Sequence, residues 1–193
     1  MTPQTAKPGR RAVFFDRDGI VNRSPGPGYV ERVADFHLQP EFVAALRVVR
    51  AAGYCAFLFT NQRGIALGRM AAAAVEAIHA ELGRLLAREG LALDGIYVCP
   101  HQNGECACRK PLPGLLLAAA RDHDVDLAAS WVVGDHLRDV QAGGAAGCGT
   151  VLVGAPPPTP PEADFHLAHL ADLPGLLAAR LPPLQLPQPG KGN

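Results

Sequence analysis

Two carboxylates one residue apart close an apolar run near the start of the chain, Val13-Phe14-Phe15-Asp16-Arg17-Asp18-Gly19. The apolar residues read as a buried strand, and positions i and i+2 of an extended backbone project to the same side. Asp16 and Asp18 are therefore expected together at the strand's C-terminal tip, where Gly19 lets the chain turn and a ligand approach. Two anions so close are costly unless a cation or a phosphoryl group lies between them. The chemistry they suggest is metal-dependent phosphoryl transfer.

Three further polar signals fall at or just beyond the ends of other apolar runs: Thr60 and Asn61 after residues 54–59, Lys110 in the loop after 96–98, and Asp135 with Asp139 after 131–133. In an open parallel sheet, ligands bind outside the carboxyl ends of the strands, so these signals converge once the sheet forms. Each alone is also what an ordinary turn or helix cap contains; it is the ordered set that points to a site. Hydrolysis of a phosphate monoester is among the slowest uncatalysed reactions, accelerated by up to about 10²¹-fold. Such a barrier calls for a nucleophile, an acid/base, a metal and a cationic clamp together. Asp16 can attack phosphorus and form an aspartyl-phosphate. Asp18 can protonate the leaving alkoxide and then deprotonate the hydrolytic water. Asp135, Asp16 and the backbone carbonyl of Asp18 supply hard oxygen ligands for Mg²⁺. Thr60 and the Asn61 N–H can hold phosphate oxygens whose charge Lys110 offsets.

The elements that must position these groups alternate. Strands are expected at 13–15, 54–59, 96–98, 131–133 and 150–153. Amphipathic helices are expected from Pro40 to a stop at Gly53, at 72–89, at 113–123 with Pro113 in the first turn, and in part at 137–146. That alternation predicts an α/β fold, a Rossmann-like doubly wound parallel sheet. Residues 1–181 read as one domain, with a proline-rich connector at 155–161 leading to a last strand and helix at 165–181. Residues 182–193, rich in Pro and Gly, read as a disordered tail.

The bulk numbers exclude several classes. Eighteen basic residues balance eighteen acidic ones, which leaves no net field to attract nucleic acid or an anionic membrane. No apolar run is long enough to span a bilayer, and residues 1–11 do not resemble a signal peptide. A cytoplasmic protein, monomeric and acting on a small molecule, is the expectation. Five cysteines, an odd number, argue against a disulfide framework.

Three of those cysteines lie within ten residues, in the pattern C-x-H-x₄-C-x-C formed by Cys99, His101, Cys106 and Cys108. Three thiolates and an imidazole fill a tetrahedral Zn²⁺ shell and leave no open position, so the expected site is structural. Arg109 and Lys110 follow the last ligand directly, so zinc would fix both cations above the phosphate.

Asp16-Arg-Asp18-Gly, the Thr60-Asn-Gln turn, Lys110 and Gly-Asp135-x-x-x-Asp139 together resemble the four motifs of the haloacid-dehalogenase-like (HAD) phosphatases. The resemblance covers roughly residues 12–155. It implies a Rossmann-like core, Mg²⁺ and an aspartyl-phosphate intermediate, and it makes Asp139 a support for the metal shell. No long insertion follows the first or third motif, so no large cap domain is expected. The Cys-Pro-His and Cys-x-Cys-Arg-Lys-Pro segments, with Asn22, Gly28-Tyr29-Val30 and Asn61-Gln62-x-Gly64-Ile65-Ala66, resemble the zinc-containing branch of heptose-bisphosphate and histidinol-phosphate phosphatases. That branch implies a small phosphorylated substrate. The C7 phosphate of a heptose 1,7-bisphosphate, on the way to nucleotide-activated heptose for lipopolysaccharide, ranks ahead of histidinol phosphate because the loops carry arginines. Arg63, Arg69 and Arg109 are candidates for gripping the second phosphate. His136, next to the metal Asp, is a candidate contact to phosphate or metal-bound water, with an exposed loop position as the plainer reading. Cys55 and Cys148 read as small apolar groups and Trp131 as core. A receiver-type phospho-acceptor is the distant alternative. Receivers place the accepting aspartate after a later strand, whereas here Asp18 stands beside the nucleophile as acid/base.

Overall fold

The computed structural model describes residues 9–155 and 163–183; the proline-rich connector and the tail beyond 183 lie outside the described residues. Six strands form one sheet in the order β3-β2-β1-β4-β5-β6, and every pairing is parallel. They are β1 (Ala12–Phe15), β2 (Cys55–Asn61), β3 (Gly95–Cys99), β4 (Trp131–Gly134), β5 (Gly149–Val153) and β6 (Phe165–Leu167). The helices are α1 (Pro40–Ala51), α2 (Ala72–Arg88), α3 (Gly114–His123), α4 (Leu137–Ala145) and α5 (Leu173–Arg180). The doubly wound expectation is met, and each expected strand appears within a residue or two of its place. Pro113 is one position off, standing at the cap of α3 rather than in its first turn.

The strands read as apolar runs because both faces of the sheet are covered. Val13 and Phe15 of β1 point into a core shared with Phe42 and Leu46 of α1, Ile78 and Leu82 of α2, and Leu173 and Leu177 of α5. Ala12 and Phe14 point the other way, into a second core with Leu115, Leu116 and Ala119 of α3 and Ala142 of α4. Cys55 and Cys148 pack as buried small groups of that second core. Trp131 is only half-buried, its ring tilted over Phe165 at 5.7 Å.

The strand order fixes where the site must be. The chain winds outward through β1, β2 and β3, then returns to place β4 on the other side of β1. The crevice at such a reversal, at the carboxyl ends of the strands, is the binding position of open α/β sheets. Here it opens between the tips of β1 and β4, which carry Asp16 and Asp135. Among the described residues, no helix is long and apolar enough to cross a membrane.

Candidate active site

The floor of the crevice is built from strand tips. Asp16 follows β1 directly, and its N–H donates to the carbonyl of Val133 on β4 (2.9 Å). Its carboxylate is buried and accepts from Lys110 Nζ at 2.6 Å. Lys110 also lies 2.7 Å from Asp139 Oδ1, donates to the Phe59 carbonyl at 3.3 Å and sits 4.2 Å above the Phe59 ring. One lysine thus serves two buried carboxylates, and the floor is one positive charge short. Burial, with the like charge of Asp139 adding to it, outweighs the Lys110 attraction and pushes Asp16 up to about 6. Lys110 itself is held above its ordinary value by the two carboxylates, which outweigh its burial.

Asp18 stands on the rim, 26% exposed. It accepts from Arg17 Nε (3.1 Å) and Nη2 (2.8 Å), from Asn22 Nδ2 (3.0 Å) and from Gln62 Nε2 (3.3 Å). Gln62 also donates to Thr60 Oγ1 (2.9 Å) and so links the second motif to the first. Asn61 does something its sequence position did not suggest. Its side chain clamps the Lys110 backbone, donating to the carbonyl and accepting from the N–H, both at 3.1 Å.

Asp135 lies across the crevice, and Gly19 is what admits it. Gly19 has φ +96°, and a Cβ there would collide with the Asp135 carboxylate. Asp135 Oδ1 pairs with His136 Nδ1 at 2.7 Å, a bond that holds the half-exposed imidazole above its usual range. Asp139 is buried at the start of α4, accepts from the His136 N–H (3.1 Å), and is the second partner of Lys110. Asp135, His136 and Asp139 cluster closely enough to hold an ion, but both Asp139 oxygens are engaged, Oδ1 with Lys110 and Oδ2 with the His136 N–H, whereas Asp16 uses only Oδ1 for Lys110. The fit for Mg²⁺ is better at Asp16 and Asp135 with the Asp18 carbonyl: a hard oxygen set beside a floor short of positive charge.

One wall of the crevice is the loop 99–110. The donor atoms of Cys99, His101, Cys106 and Cys108 all lie within 4.8 Å of one another. The Sγ–Sγ contacts are 3.6 Å (Cys99–Cys106) and 3.1 Å (Cys106–Cys108), and His101 Nδ1 is 3.8 Å and 3.4 Å from Cys99 and Cys108. Zn–S bonds of about 2.3 Å and Zn–N bonds of about 2.0 Å put tetrahedral ligands at about 3.5–3.8 Å, so this cluster fits zinc. Its thiols also compete for protons. Burial pushes Cys108 up to about 12; in Cys106 burial acts the same way, but hydrogen bonding from Cys108 wins and lowers it to about 7. The loop docks on α3 through Gly114, where any Cβ would strike the Ala107 carbonyl.

Arg109 projects from this loop, held by Asn103 Oδ1 (2.7 Å) and the His101 carbonyl (3.3 Å). It lines a cleft of about 690 Å³ with Arg63, Lys110, His136 and Arg138. Arg69, a candidate from sequence, is not on that lining; Arg138, on the first turn of α4, is, and was missed. Among the described residues no carboxylate lines this cleft.

A doubly wound sheet, paired aspartates at the first strand tip, and a lysine and third aspartate brought to them define a HAD-like phosphatase, a phosphoric monoester hydrolase, and the chain belongs to that family. The HAD-hydrolase-like family model matches residues 107–177. D-glycero-β-D-manno-heptose-1,7-bisphosphate 7-phosphatase of Yersinia pestis is 41% identical over 182 residues, 88% of this chain and 96% of the relative. The protein of the same name from Escherichia coli K12 is 40% identical over 187 residues, 90% and 97% of the two chains. Among solved structures, D,D-heptose 1,7-bisphosphate phosphatase from Bordetella bronchiseptica, complexed with magnesium and phosphate, matches with a TM-score of 0.78 at 36% identity. That match covers 88% of this chain and 98% of the other.

Proposed function

We propose that this chain removes the C7 phosphate of D-glycero-β-D-manno-heptose 1,7-bisphosphate through an aspartyl-phosphate on Asp16. The observation that carries the substrate is the cleft: Arg63, Arg109 and Arg138 line it without a carboxylate, directly beside the Asp16–Lys110 floor. Guanidinium forks suit phosphate oxygens, and a substrate with a phosphate at each end would use both parts. The names of relatives near 40% identity support the same reading.

In the first half-reaction Asp16 attacks phosphorus, and the P–O bond to C7 breaks as Asp18 gives its proton to the leaving oxygen. In the second, Asp18 takes a proton from the water that attacks the aspartyl-phosphate, freeing Asp16 and inorganic phosphate. Thr60 and the Asn61 N–H orient the phosphoryl oxygens, and Lys110 keeps Asp16 anionic near neutral pH. Asp16, Asp135 and the Asp18 carbonyl would hold Mg²⁺, which would offset phosphoryl charge. Cys99, His101, Cys106 and Cys108 would hold Zn²⁺, which would keep Arg109 and Lys110 in place. A reducing cytoplasm suits those thiols.

The test is kcat/KM for heptose 1,7-bisphosphate against histidinol phosphate, with Mg²⁺ and with Asp16→Asn as the blank. A preference of about a hundredfold for the bisphosphate, about 2.7 kcal/mol, is the expected result. The reverse preference would keep the mechanism and replace the substrate.

A further inference from the structure

Arg17 lies between the two aspartates in sequence and takes no part in the chemistry above, yet its side chain is completely buried. A guanidinium stays charged at any pH a protein meets, and burying one unpaired costs several kcal/mol. Its pairing is one-sided: Nε and Nη2 fork onto the two oxygens of Asp18 (3.1 and 2.8 Å), and only the Asp18 end of the pair is partly exposed. The remaining nitrogen, Nη1, is buried with no protein partner. On α2, His79 presents a second buried, unpartnered atom, Nε2. Burial, and then the charge of Arg17, lower His79 to about 4, so the imidazole is neutral and Nε2 is free to accept. A spare donor and a spare acceptor thus lie buried in the neighbourhood of the Arg17–Asp18 pair.

We propose that Arg17 is the positioning residue for Asp18: its bidentate fork fixes the carboxylate in one orientation beside Asp16 for proton transfer. The terminal torsion of an aspartate is broad when free, and two parallel N–H···O bonds remove that rotation, which a lysine's point charge cannot do. Asn22 and Gln62 each add one bond, to Oδ1 and Oδ2 respectively, but both are neutral. The inference rests on the reading of Asp18 as acid/base and is independent of which sugar is the substrate.

The test compares phenyl phosphate with p-nitrophenyl phosphate in Arg17→Lys and Arg17→Met. Under these conditions kcat/KM reports only the steps through formation of the aspartyl-phosphate, and p-nitrophenolate leaves without a proton while phenolate gains from one. Both variants are expected to lose tenfold or more on phenyl phosphate and less than threefold on p-nitrophenyl phosphate, the lysine variant failing as the methionine does. Equal losses on the two substrates, or rescue by lysine, would overturn the proposal and leave a merely structural ion pair. If the Arg17 variants do not fold, His79→Phe carries the test. A smaller loss confined to phenyl phosphate supports the proposal, and a uniform loss or none overturns it.

Discussion

The floor and the zinc-loop wall of one crevice are built by opposite means. The floor groups Asp16, Thr60, Lys110 and Asp139 are all buried; Asp16 and Thr60 sit at strand tips, Asp139 lies in the first turn of α4 and Lys110 reaches in from the loop after β3, between the two hydrophobic cores. The wall, from His101 to Arg109, has neither helix nor strand and is mostly exposed. It carries four donor atoms that could hold one metal ion, and it docks on α3 at Gly114. The difference would give two metals different work. The floor folds on apolar burial and lacks only a balancing charge, so a cation there would serve chemistry. The wall has too little core to hold itself, so a cation there would serve structure.

The largest break in this contrast is Lys110→Met, which removes the one cation shared by two buried carboxylates. Leaving a buried charge uncompensated costs about 3–5 kcal/mol, and here the phosphate also loses its counter-charge. Turnover should fall by about a thousandfold or more, within the range of lost transition-state electrostatics, and Tm should drop in the metal-free protein. Steady-state kinetics and a thermal melt of the same preparation check both. A variant that melts like the parent would mean that the floor does not depend on its lysine.

Zinc removal strikes the wall and reaches the floor only through Lys110. Chelation, or Cys108→Ser, should lower kcat/KM by about 10–100-fold by freeing Arg109 and Lys110 from their shared loop. The far-UV circular dichroism of the sheet and helices should be kept. A zinc-free protein with full turnover would sever the wall from catalysis, and one that unfolds would show that the wall also supports the core.

The same contrast governs what the sequence could reveal. Strands and helices were legible because apolar runs and three- or four-residue spacings report burial directly, and Val75, Ile78, Leu82 and Leu86 are indeed the buried face of α2. The zinc cluster was legible because its ligands are close in the chain and share a chemistry. Contacts that join distant tips were not. Nothing near Asp139 says that its partner is Lys110, nor does Asn61 announce that its amide will grip a backbone 49 residues away. Arg17 was the hardest, since an arginine in a polar turn normally reaches solvent, whereas here its side chain is fully buried. Arg138 escaped for a different reason: in the sequence nothing distinguishes it from a solvent-facing helix residue, and only the shape of the cleft brings it onto one lining with Arg63 and Arg109.

The smallest effect is the subtlest test of the floor. Asp16 has its folded-state pKa raised from 3.8 to about 6, chiefly by burial. A carboxyl raised on folding binds its proton better in the native state. Its stabilising contribution is therefore complete below the unfolded value and is lost as pH rises through the folded one. At pH 7.5 the metal-free protein thus carries a buried charge it would be more stable without. Asp16→Asn, uncharged at every pH, should melt higher by a few degrees, corresponding to roughly 2–3 kcal/mol. The gap should narrow between pH 6 and pH 4 as Asp16 takes up its proton. Saturating Mg²⁺ should close it from the other side, because the cation stabilises only the carboxylate form. Paired thermal melts across that range, with and without Mg²⁺, measure both movements. A gap that ignores pH and Mg²⁺ alike would mean that Lys110 alone balances the floor, and the contrast between a metal that serves chemistry and one that serves structure would rest on the wall alone.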